Sequence, residues 1–198
     1  MSLEYKNAIK NLLTDTNLEC QRFFTENNCF LELGYCNLIN ENLKEAKEIF
    51  YSIKDNDIRA SWAIFMISLI EDNVTEYPTY FELRNFLEID LNILISHFKG
   101  LYVENIIRYA DFMFTINPEV YKFIGRALYE NKYEEQALFF LKRAKNYFYN
   151  DPELHYLLSY VFYNKREFAK AKRYAQSCLT ILPEYFPAKN ILNRISTH

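Results

Sequence analysis

The chain has 198 residues, of which 50% are hydrophobic and 18% aromatic, a composition too apolar for a disordered chain and sufficient for a substantial core. Only three Gly and five Pro occur, which argues against β-sandwiches, β-barrels and α/β folds, because these need frequent turn residues. The net charge of −3 is unevenly spread, because residues 1–98 hold 8 Lys/Arg and 16 Asp/Glu, whereas residues 99–198 hold 15 Lys/Arg and 10 Asp/Glu. An acidic half and a basic half can steer a charged partner or favour head-to-tail self-association.

Helical periodicity runs along the whole chain, so the sequence predicts an all-α fold. Helix starts are indicated at Asn117-Pro118, Asp151-Pro152 and Pro183-Glu184, because Pro is typical of a first helical turn. The pattern over residues 79–99 fits one long helix as well as two. The predicted helices cover residues 3–13, 17–26, 28–40, 42–54, 58–71, 79–87, 89–99, 102–115, 118–130, 133–147, 151–164, 167–180 and 184–196.

The sequence offers no apolar targeting or spanning segment. Its N-terminal residues carry several charges, and the longest apolar stretch, Ala60–Ile70, has 11 residues, whereas a membrane-spanning helix needs about 20. We therefore expect a cytoplasmic protein with no membrane association. The four Cys show no metal-binding spacing; Cys29 and Cys36, seven residues apart, are expected on one face of one helix as core thiols.

One phrase occurs twice: residues 108–119 read RYADFMFTINPE and residues 173–184 read RYAQSCLTILPE, with seven identical positions. The copies lie 65 residues apart, twice a period of about 32, and periods of 20–50 residues are typical of stacked repeats. A single helical hairpin cannot bury its apolar stripe, whereas stacked hairpins bury theirs against each other. The repetition therefore predicts a stack of antiparallel helix pairs.

Small residues are expected where the two helices of a pair approach closely. The predicted facing pairs are Gly34 with Ala46, Gly125 with Ala137, and Ser159 with Ala171.

At this period the residues resemble the tetratricopeptide repeat, which has an aromatic residue, a Leu-Gly pair and a further bulky residue on its first helix and small and bulky residues on its second. The clearest unit supplies, in order, Tyr121, Ile124, Gly125, Leu128, Ala137, Leu141 and Ala144. The match covers about residues 28–184, with two strong, one fair and two degenerate units.

The resemblance implies an all-α, right-handed α-solenoid of stacked antiparallel helix pairs. Residues 1–27 would form N-terminal capping helices or a partial repeat, residues 28–183 about five hairpins, and residues 184–198 a C-terminal solvating helix. An unrelated α-solenoid of helical pairs is the structural alternative.

In tetratricopeptide proteins the first helices line a concave groove that holds a partner, so the resemblance implies such a groove here. Its C-terminal part would be lined by Lys122, Phe123, Arg126, Tyr129, Tyr156, Leu157, Tyr160, Tyr163 and Arg194. Its N-terminal part would be lined by Leu31, Tyr35, Leu38, Ala63, Ile64 and Ile67. Tyrosines offer large, fairly rigid contact areas with a hydroxyl, although some of them could pack against adjacent helices instead.

Lys122 and Arg126 lie one helical turn apart and would favour an acidic partner. Some family members bind chaperone tails through a clamp of Lys and Asn residues. Lys122 stands in a suitable place for such a clamp, but Arg126 and Leu157 stand where Asn is expected. The sequence therefore does not favour a chaperone tail as the partner.

No recognisable catalytic pattern occurs, because His97, His155 and His198 are isolated and no phosphate-binding Gly-rich motif is present. We therefore expect no enzymatic activity, no cofactor and no metal. His155 stands at a family aromatic position and is expected to pack in the core. The basic residues within 142–145 and 165–173 are typical of a solvated outer face. The acidic net charge of the chain argues against nucleic-acid binding through them.

The leading functional hypothesis is a non-catalytic scaffold that binds a peptide segment or helix of another protein in an aromatic, partly basic groove. A chaperone-like protein that masks an apolar segment would be a specialised version. The alternative is a structural subunit of a homo-oligomer or larger assembly with the groove closed. Weak RNA binding through the basic C-terminal half is the remaining hypothesis.

Overall fold

The computed structural model describes residues 2–12 and 17–196. Within these ranges the chain forms helices and no strands, which confirms the all-α prediction. The helices are α1 Leu3–Leu12, α2 Asn17–Glu26, α3 Phe30–Ile39, α4 Leu43–Ile53, α5 Ile58–Ile70, α6 Tyr80–Ile116, α7 Val120–Glu130, α8 Glu134–Tyr147, α9 Pro152–Asn164, α10 Phe168–Ile181 and α11 Phe186–Ser196. Part of the predicted N-terminal cap and His198 lie outside the described residues. Over the described ranges, no helix combines the length and hydropathy needed to span a membrane.

The chain divides into two compact units, Met1–Tyr109 and Ala110–His198. In the first unit, α1 to α5 pack neighbour on neighbour, and α3 also contacts α5. In the second unit, α7 pairs with α8 and α9 with α10, while α7 contacts α9 and α9 contacts α11. The first helices of successive pairs therefore form one layer and the second helices another, as the predicted stack of helix pairs requires. The division into a cap, five hairpins and a solvating helix stays a prediction.

The C-terminal helix α11 covers the end of the second unit. Ala188 and Ile191 on α11 pack with Ala175 and Cys178 on α10 in one buried cluster. These contacts bury the apolar stripe that α10 would otherwise expose. Ala188 and Ile191 therefore lie on the inward face of α11.

Helix α6 corrects the prediction of separate helices over 79–87, 89–99 and 102–115, because it runs unbroken for 37 residues. It begins with a reciprocal capping box: the Thr79 N–H donates to Glu82 Oε2 (2.7 Å), and the Glu82 N–H donates to Thr79 Oγ1 (3.2 Å). Gly100 lies inside the helix rather than at a break. An interior Gly costs only about 1 kcal/mol, and no Pro or second breaker accompanies it to stop the helix.

The turns that end five helices share one left-handed geometry without glycine. Positive φ angles occur at Asn28 (55°), Glu41 (62°), Asp72 (54°), Lys132 (71°) and Arg166 (60°). Each of these residues is followed by an N–H that donates to a carbonyl five residues back, as from Tyr133 to Leu128 and from Glu167 to Phe162, both at 2.9 Å. This is the Schellman pattern, which reverses the chain after a helix.

A buried carboxylate ties α6 to the other helices of the first unit. Asp90 has no exposed surface and accepts hydrogen bonds from the Tyr35 hydroxyl (2.7 Å), the Trp62 indole N–H (2.6 Å) and the Arg59 guanidinium (2.8 Å). Arg59 also donates to the Tyr35 hydroxyl (3.0 Å). The network satisfies three buried polar groups at once and so fixes α3, α5 and α6 against each other.

Small residues bring the paired helices together, and the nearest atoms to the glycines belong to bulky side chains. A Cβ on Gly34 would lie 2.4 Å from the Phe50 ring, and a Cβ on Gly125 would lie 2.8 Å from Leu141 Cγ. The partners are thus one helical turn beyond the predicted Ala46 and Ala137.

The third predicted pair makes a direct contact. The buried Ser159 hydroxyl donates to the Ala171 carbonyl at 2.8 Å. This hydrogen bond satisfies the buried hydroxyl group and holds α9 close to α10.

The cysteines correct one further prediction. Cys29 precedes α3 as its N-terminal flanking residue, so it does not share a helix face with Cys36. Cys36 instead meets Cys20 across the contact of α2 with α3, with the two Sγ atoms 3.6 Å apart. Cys20, Cys36 and Cys178 are buried thiols, as the core-thiol prediction requires, whereas Cys29 is half-buried.

Candidate partner-binding surface

All nine residues predicted for the C-terminal groove lie on first helices of the second unit. Four are on α7, four on α9 and one on α11, and these three helices lie side by side because α9 contacts both of its neighbours. We call the surface that they form the first-helix face. Its binding role stays a prediction.

Four tyrosines form a continuous row across the first-helix face. Tyr129 and Tyr160 meet edge to face with ring centroids 5.8 Å apart, Tyr156 stacks on Tyr160 at 6.1 Å, and Tyr185 lies 5.4 Å from Tyr156. We call Tyr129, Tyr160, Tyr156 and Tyr185 the tyrosine row. Tyr160 exposes 38% of its surface, the largest share in the row. Such contacts restrict the rings before any partner binds, so little conformational entropy remains to be lost on binding.

Tyr185 is the member that sequence reasoning missed, because it precedes α11 and lies outside the first-helix pattern. Its position directly after Pro183-Glu184 was the available signal, since that dipeptide indicates a turn leading into the last helix. Tyr185 also packs against the buried cluster of α10 and α11, together with Tyr156 and Tyr163. One edge of each of these rings therefore packs in the core, and the opposite edge is the part that a partner could contact.

Burial further favours the neutral form of three phenols of the row. It raises the pKa of Tyr129, Tyr156 and Tyr185 above the usual range for a phenol. The hydroxyl of Tyr129 also accepts a hydrogen bond from the Asn164 side chain. These phenols therefore present hydroxyl donors and acceptors, not charges, at neutral pH.

The two predicted cations of the face are already paired within the chain. Lys122 Nζ lies 2.7 Å from Asp151 Oδ2 and 3.2 Å from Glu153 Oε2, and Arg126 Nη2 lies 2.5 Å from Glu153 Oε1. Burial opposes the charge of Lys122, but the hydrogen bond and field of Asp151, followed by those of Glu153, outweigh it and raise the Lys122 pKa. Two cations thus face two carboxylates, so the geometry does not support a preference for an acidic partner here.

Asp151 has a second role that explains its position. Its Oδ1 accepts a hydrogen bond from the Leu154 N–H (3.1 Å) and caps α9 ahead of Pro152. The cap residue predicted from sequence therefore also holds Lys122 at the edge of the first-helix face.

The other predicted residues differ in their exposure. Phe123 is buried, Leu157 is half-buried, and Tyr163 is half-buried with its ring 5.8 Å from Phe168. Arg194 is exposed near Tyr156, and its charge opposes the rise in the Tyr156 pKa. The predicted residues that combine a position on the face with accessible surface therefore include Tyr129, Tyr156, Leu157, Tyr160, Tyr163 and Arg194.

Five of the six residues predicted to line the apolar N-terminal groove are buried. Tyr35, Leu38, Ala63, Ile64 and Ile67 expose 8% of their surface or less. At Tyr35, Asp90 of α6 contributes to this burial, because it accepts the hydrogen bond of the Tyr35 hydroxyl and joins α3, α5 and α6 in one network. Leu31, the remaining predicted residue, is half-buried and lines an apolar pocket of about 240 Å³ together with Leu12, Ile39 and Ile93.

No group of three or more His, Cys, Asp or Glu side chains that could hold a metal ion occurs among the described residues. His155 is buried, with its Nε2 2.8 Å from the Tyr149 carbonyl and its ring 6.1 Å from that of Tyr174. These contacts match the packing role predicted for it.

No protein-family model matches the chain, and no curated protein matches it either. Among solved structures, the chain is similar to a chain of the crystal structure of the APC/C hetero-tetramer Cut9-Hcn1. The two are 16% identical with a TM-score of 0.45, and the match covers 95% of this chain and 41% of that chain. The chain therefore spans less than half of that chain's length.

Proposed function

We propose that this protein is a non-catalytic interaction scaffold whose first-helix face binds a segment of another protein. The observation that carries the proposal is the tyrosine row, in which four neighbouring rings contact one another. Tyr156 and Tyr185 also pack against the core, while Tyr160 remains exposed. Preorganised tyrosines are typical anchors of protein interfaces, because they bury a large area and lose little entropy. We propose a cytoplasmic location from the sequence.

The contacts of the face favour a particular partner chemistry. Lys122 and Arg126 are neutralised by Asp151 and Glu153, so apolar and hydrogen-bonding contacts are left as the source of affinity. The partner segment would present aromatic or aliphatic side chains to the rings and backbone carbonyls to the phenol hydroxyls. This proposal keeps the groove residues of the sequence hypothesis and gives up its preference for acidic partners.

The proposal is tested by affinity capture followed by a binding measurement. The full chain, Tyr160→Ala and Tyr149→Ala are immobilised in equal amounts and exposed to extract from the native cell. Tyr149 is the matched control, because it is an exposed tyrosine (74%) outside the row. A protein identified by mass spectrometry is then prepared, and its affinity for each variant is measured by calorimetry.

We expect Tyr160→Ala to weaken the identified complex by about tenfold or more, the loss of a hot-spot aromatic, while Tyr149→Ala changes it less than about twofold. Equal affinity for both variants would place the interaction elsewhere and contradict the proposal. Capture of the protein itself alone, with a concentration-dependent mass in light scattering, would support the assembly alternative instead.

A further inference from the structure

The second-helix layer of the second unit carries a basic cleft that the proposed function does not use. The cleft encloses about 620 Å³ between α8 and α10. Its lining includes Phe139, Lys142, Arg143 and Lys145 of α8 and Tyr174 of α10. We call this cleft, with the cations around its rings, the α8–α10 cleft.

Four cations surround one stacked pair of aromatic rings at this cleft. Phe162 and Tyr174 stack with centroids 5.5 Å apart and planes at 2°. The Lys142 and Lys170 ammonium groups lie 5.8 and 5.2 Å from the centroid of Phe162. The Lys145 ammonium and the Arg173 guanidinium lie 5.7 and 5.1 Å from the centroid of Tyr174. Each of the two rings therefore attracts two cations, so four like charges lie close together.

Carboxylates of the described chain compensate only part of this charge. Arg143 pairs with Asp111 at 2.8 Å, and Lys170 pairs with Glu167 at 2.5 Å. In contrast, none of the described carboxylates lies within ion-pair distance of Lys142, Lys145 or Arg173. Like charges held together without counter-charges repel each other, and a bound anion would relieve that repulsion.

The one carboxylate that lines the cleft is occupied elsewhere. Glu135 lies 2.7 Å from Lys165, and the hydrogen bond from Lys165 lowers the Glu135 pKa, with a smaller contribution from the field of Lys142. The cleft therefore keeps a net positive lining, unlike the first-helix face with its balanced pairs.

We propose that the α8–α10 cleft binds an acidic peptide segment of a partner protein, independently of the first-helix face. Lys142 and Lys145 are three residues apart on one helix, so their side chains lie roughly 5–6 Å apart at Cβ. Alternate carboxylates of an extended peptide are spaced by about 7 Å. Two acidic side chains can thus meet two uncompensated cations without distorting either chain, and Arg173 can take a third.

The rings favour a peptide over RNA as the occupant. Phe162 and Tyr174 expose only 3% and 7% of their surface, so this stacked pair cannot serve as a platform for bases. Phe139, with 53% of its surface exposed, is the one exposed ring among the described lining residues, whereas single-stranded nucleic acids stack on a series of rings. The chain as a whole also carries −3, which disfavours a long polyanion more than a short acidic segment.

Fluorescence anisotropy on the full chain tests the proposal. The probe is a labelled peptide of about ten residues in which Glu alternates with Ser, and the same peptide with Gln in place of Glu is its control. The site variant is Lys142→Gln/Lys145→Gln, and the matched variant Lys132→Gln/Lys189→Gln removes the same charge outside the cleft. Arg173→Gln serves as a second site variant, and the thermal melt of each protein checks its folding.

We expect the Glu peptide to bind at low ionic strength and the Gln peptide not to bind. The site variant should weaken binding of the Glu peptide about tenfold, and Arg173→Gln should weaken it about threefold. The matched variant should change the affinity less than about twofold. Equal weakening by the site and matched variants, or no binding of the Glu peptide at all, would overturn the proposal. Tighter binding of a labelled oligouridine with the same variant sensitivity would replace it with RNA binding.

Discussion

At the residue scale, single atoms decide how closely the paired helices pack. Gly125 lies against Leu141 so tightly that an added Cβ would be 2.8 Å from its Cγ and 3.2 Å from its backbone N. Gly100 in α6 has nothing within 4 Å of the same position. The two helical glycines therefore make a matched pair, one required by packing and one not.

We expect Gly125→Ala to lower the free energy of unfolding by about 1–3 kcal/mol, because the new methyl group overpacks the contact of α7 with α8. Gly100→Ala should raise it by about 0.5–1 kcal/mol, because Ala restricts the unfolded chain and favours the helix. Urea denaturation followed by circular dichroism measures both values. A stabilising Gly125→Ala would contradict the close approach of these helices.

Asp90 is the second residue whose role is set by its surroundings. Asp90→Ala would leave the half-buried Arg59 without its counter-charge and Tyr35 and Trp62 without their acceptor. We expect this change to cost about 3–5 kcal/mol of unfolding free energy in chemical denaturation. The exposed Asp55 is the control, and Asp55→Ala should change stability by less than about 0.5 kcal/mol. A loss below about 1 kcal/mol for Asp90→Ala would show that the network is not structural.

At the element scale, the turns rather than the helices carry the unfavourable backbone conformations. Five residues other than Gly end helices in the left-handed region, which costs a non-glycine residue roughly 1–2 kcal/mol each. Lys132 and Arg166, the turn residues of the two strongest repeat units, are 34 positions apart, so the strained turn recurs at the period of the repeat. Because these turn positions carry residues other than Gly, the usual sequence signal for a left-handed turn is missing.

Lys132→Gly should stabilise the protein by about 0.5–1 kcal/mol, because Gly adopts φ near 71° without steric cost. Lys132→Val should destabilise it by about 1–2 kcal/mol, because a β-branched side chain crowds the left-handed region. Thermal unfolding of the original protein and the two variants measures their order of stability. If the Gly variant were the least stable of them, the turn geometry would be wrong.

At the scale of the whole molecule, the thiols are unevenly accessible. Cys20 and Cys36 are buried in the first unit and Cys178 in the second, while Cys29 is half-buried. Burial raises the pKa of Cys29 and of Cys36, and it raises the pKa of Cys178 to about 11, so the reactive thiolate forms are minor at neutral pH.

We expect one thiol, Cys29, to react with a disulfide reagent in the native protein within minutes, and the other three to react only on unfolding. Absorbance of the released thiolate, with and without denaturant, counts them. Cys29→Ser should abolish the native reaction and leave three thiols in denaturant. Rapid native reaction of two or more thiols would contradict the packing of α2 on α3 or of α10 on α11.

The sequence by itself determined the helical class, the pairing of helices and the positions of the first-helix residues, because these follow from periodicity, capping residues and a repeated phrase read locally along the chain. Tyr129, Tyr156 and Tyr160 are identifiable in this way, since helical phase alone places them on one face. The cap at Asp151 is identifiable for the same reason.

Only the tertiary structure decided which of those residues remain available. Whether Lys122 is an open cation depends on Asp151 and Glu153, about 30 residues away. Whether Tyr35 lines a groove likewise depends on Asp90 of α6, to which its hydroxyl is bonded in the core. The uncompensated charge of Lys142, Lys145 and Arg173 likewise follows from which carboxylates do not reach them. Burial and charge pairing are properties of distant residues brought together, so no local pattern in the chain records them.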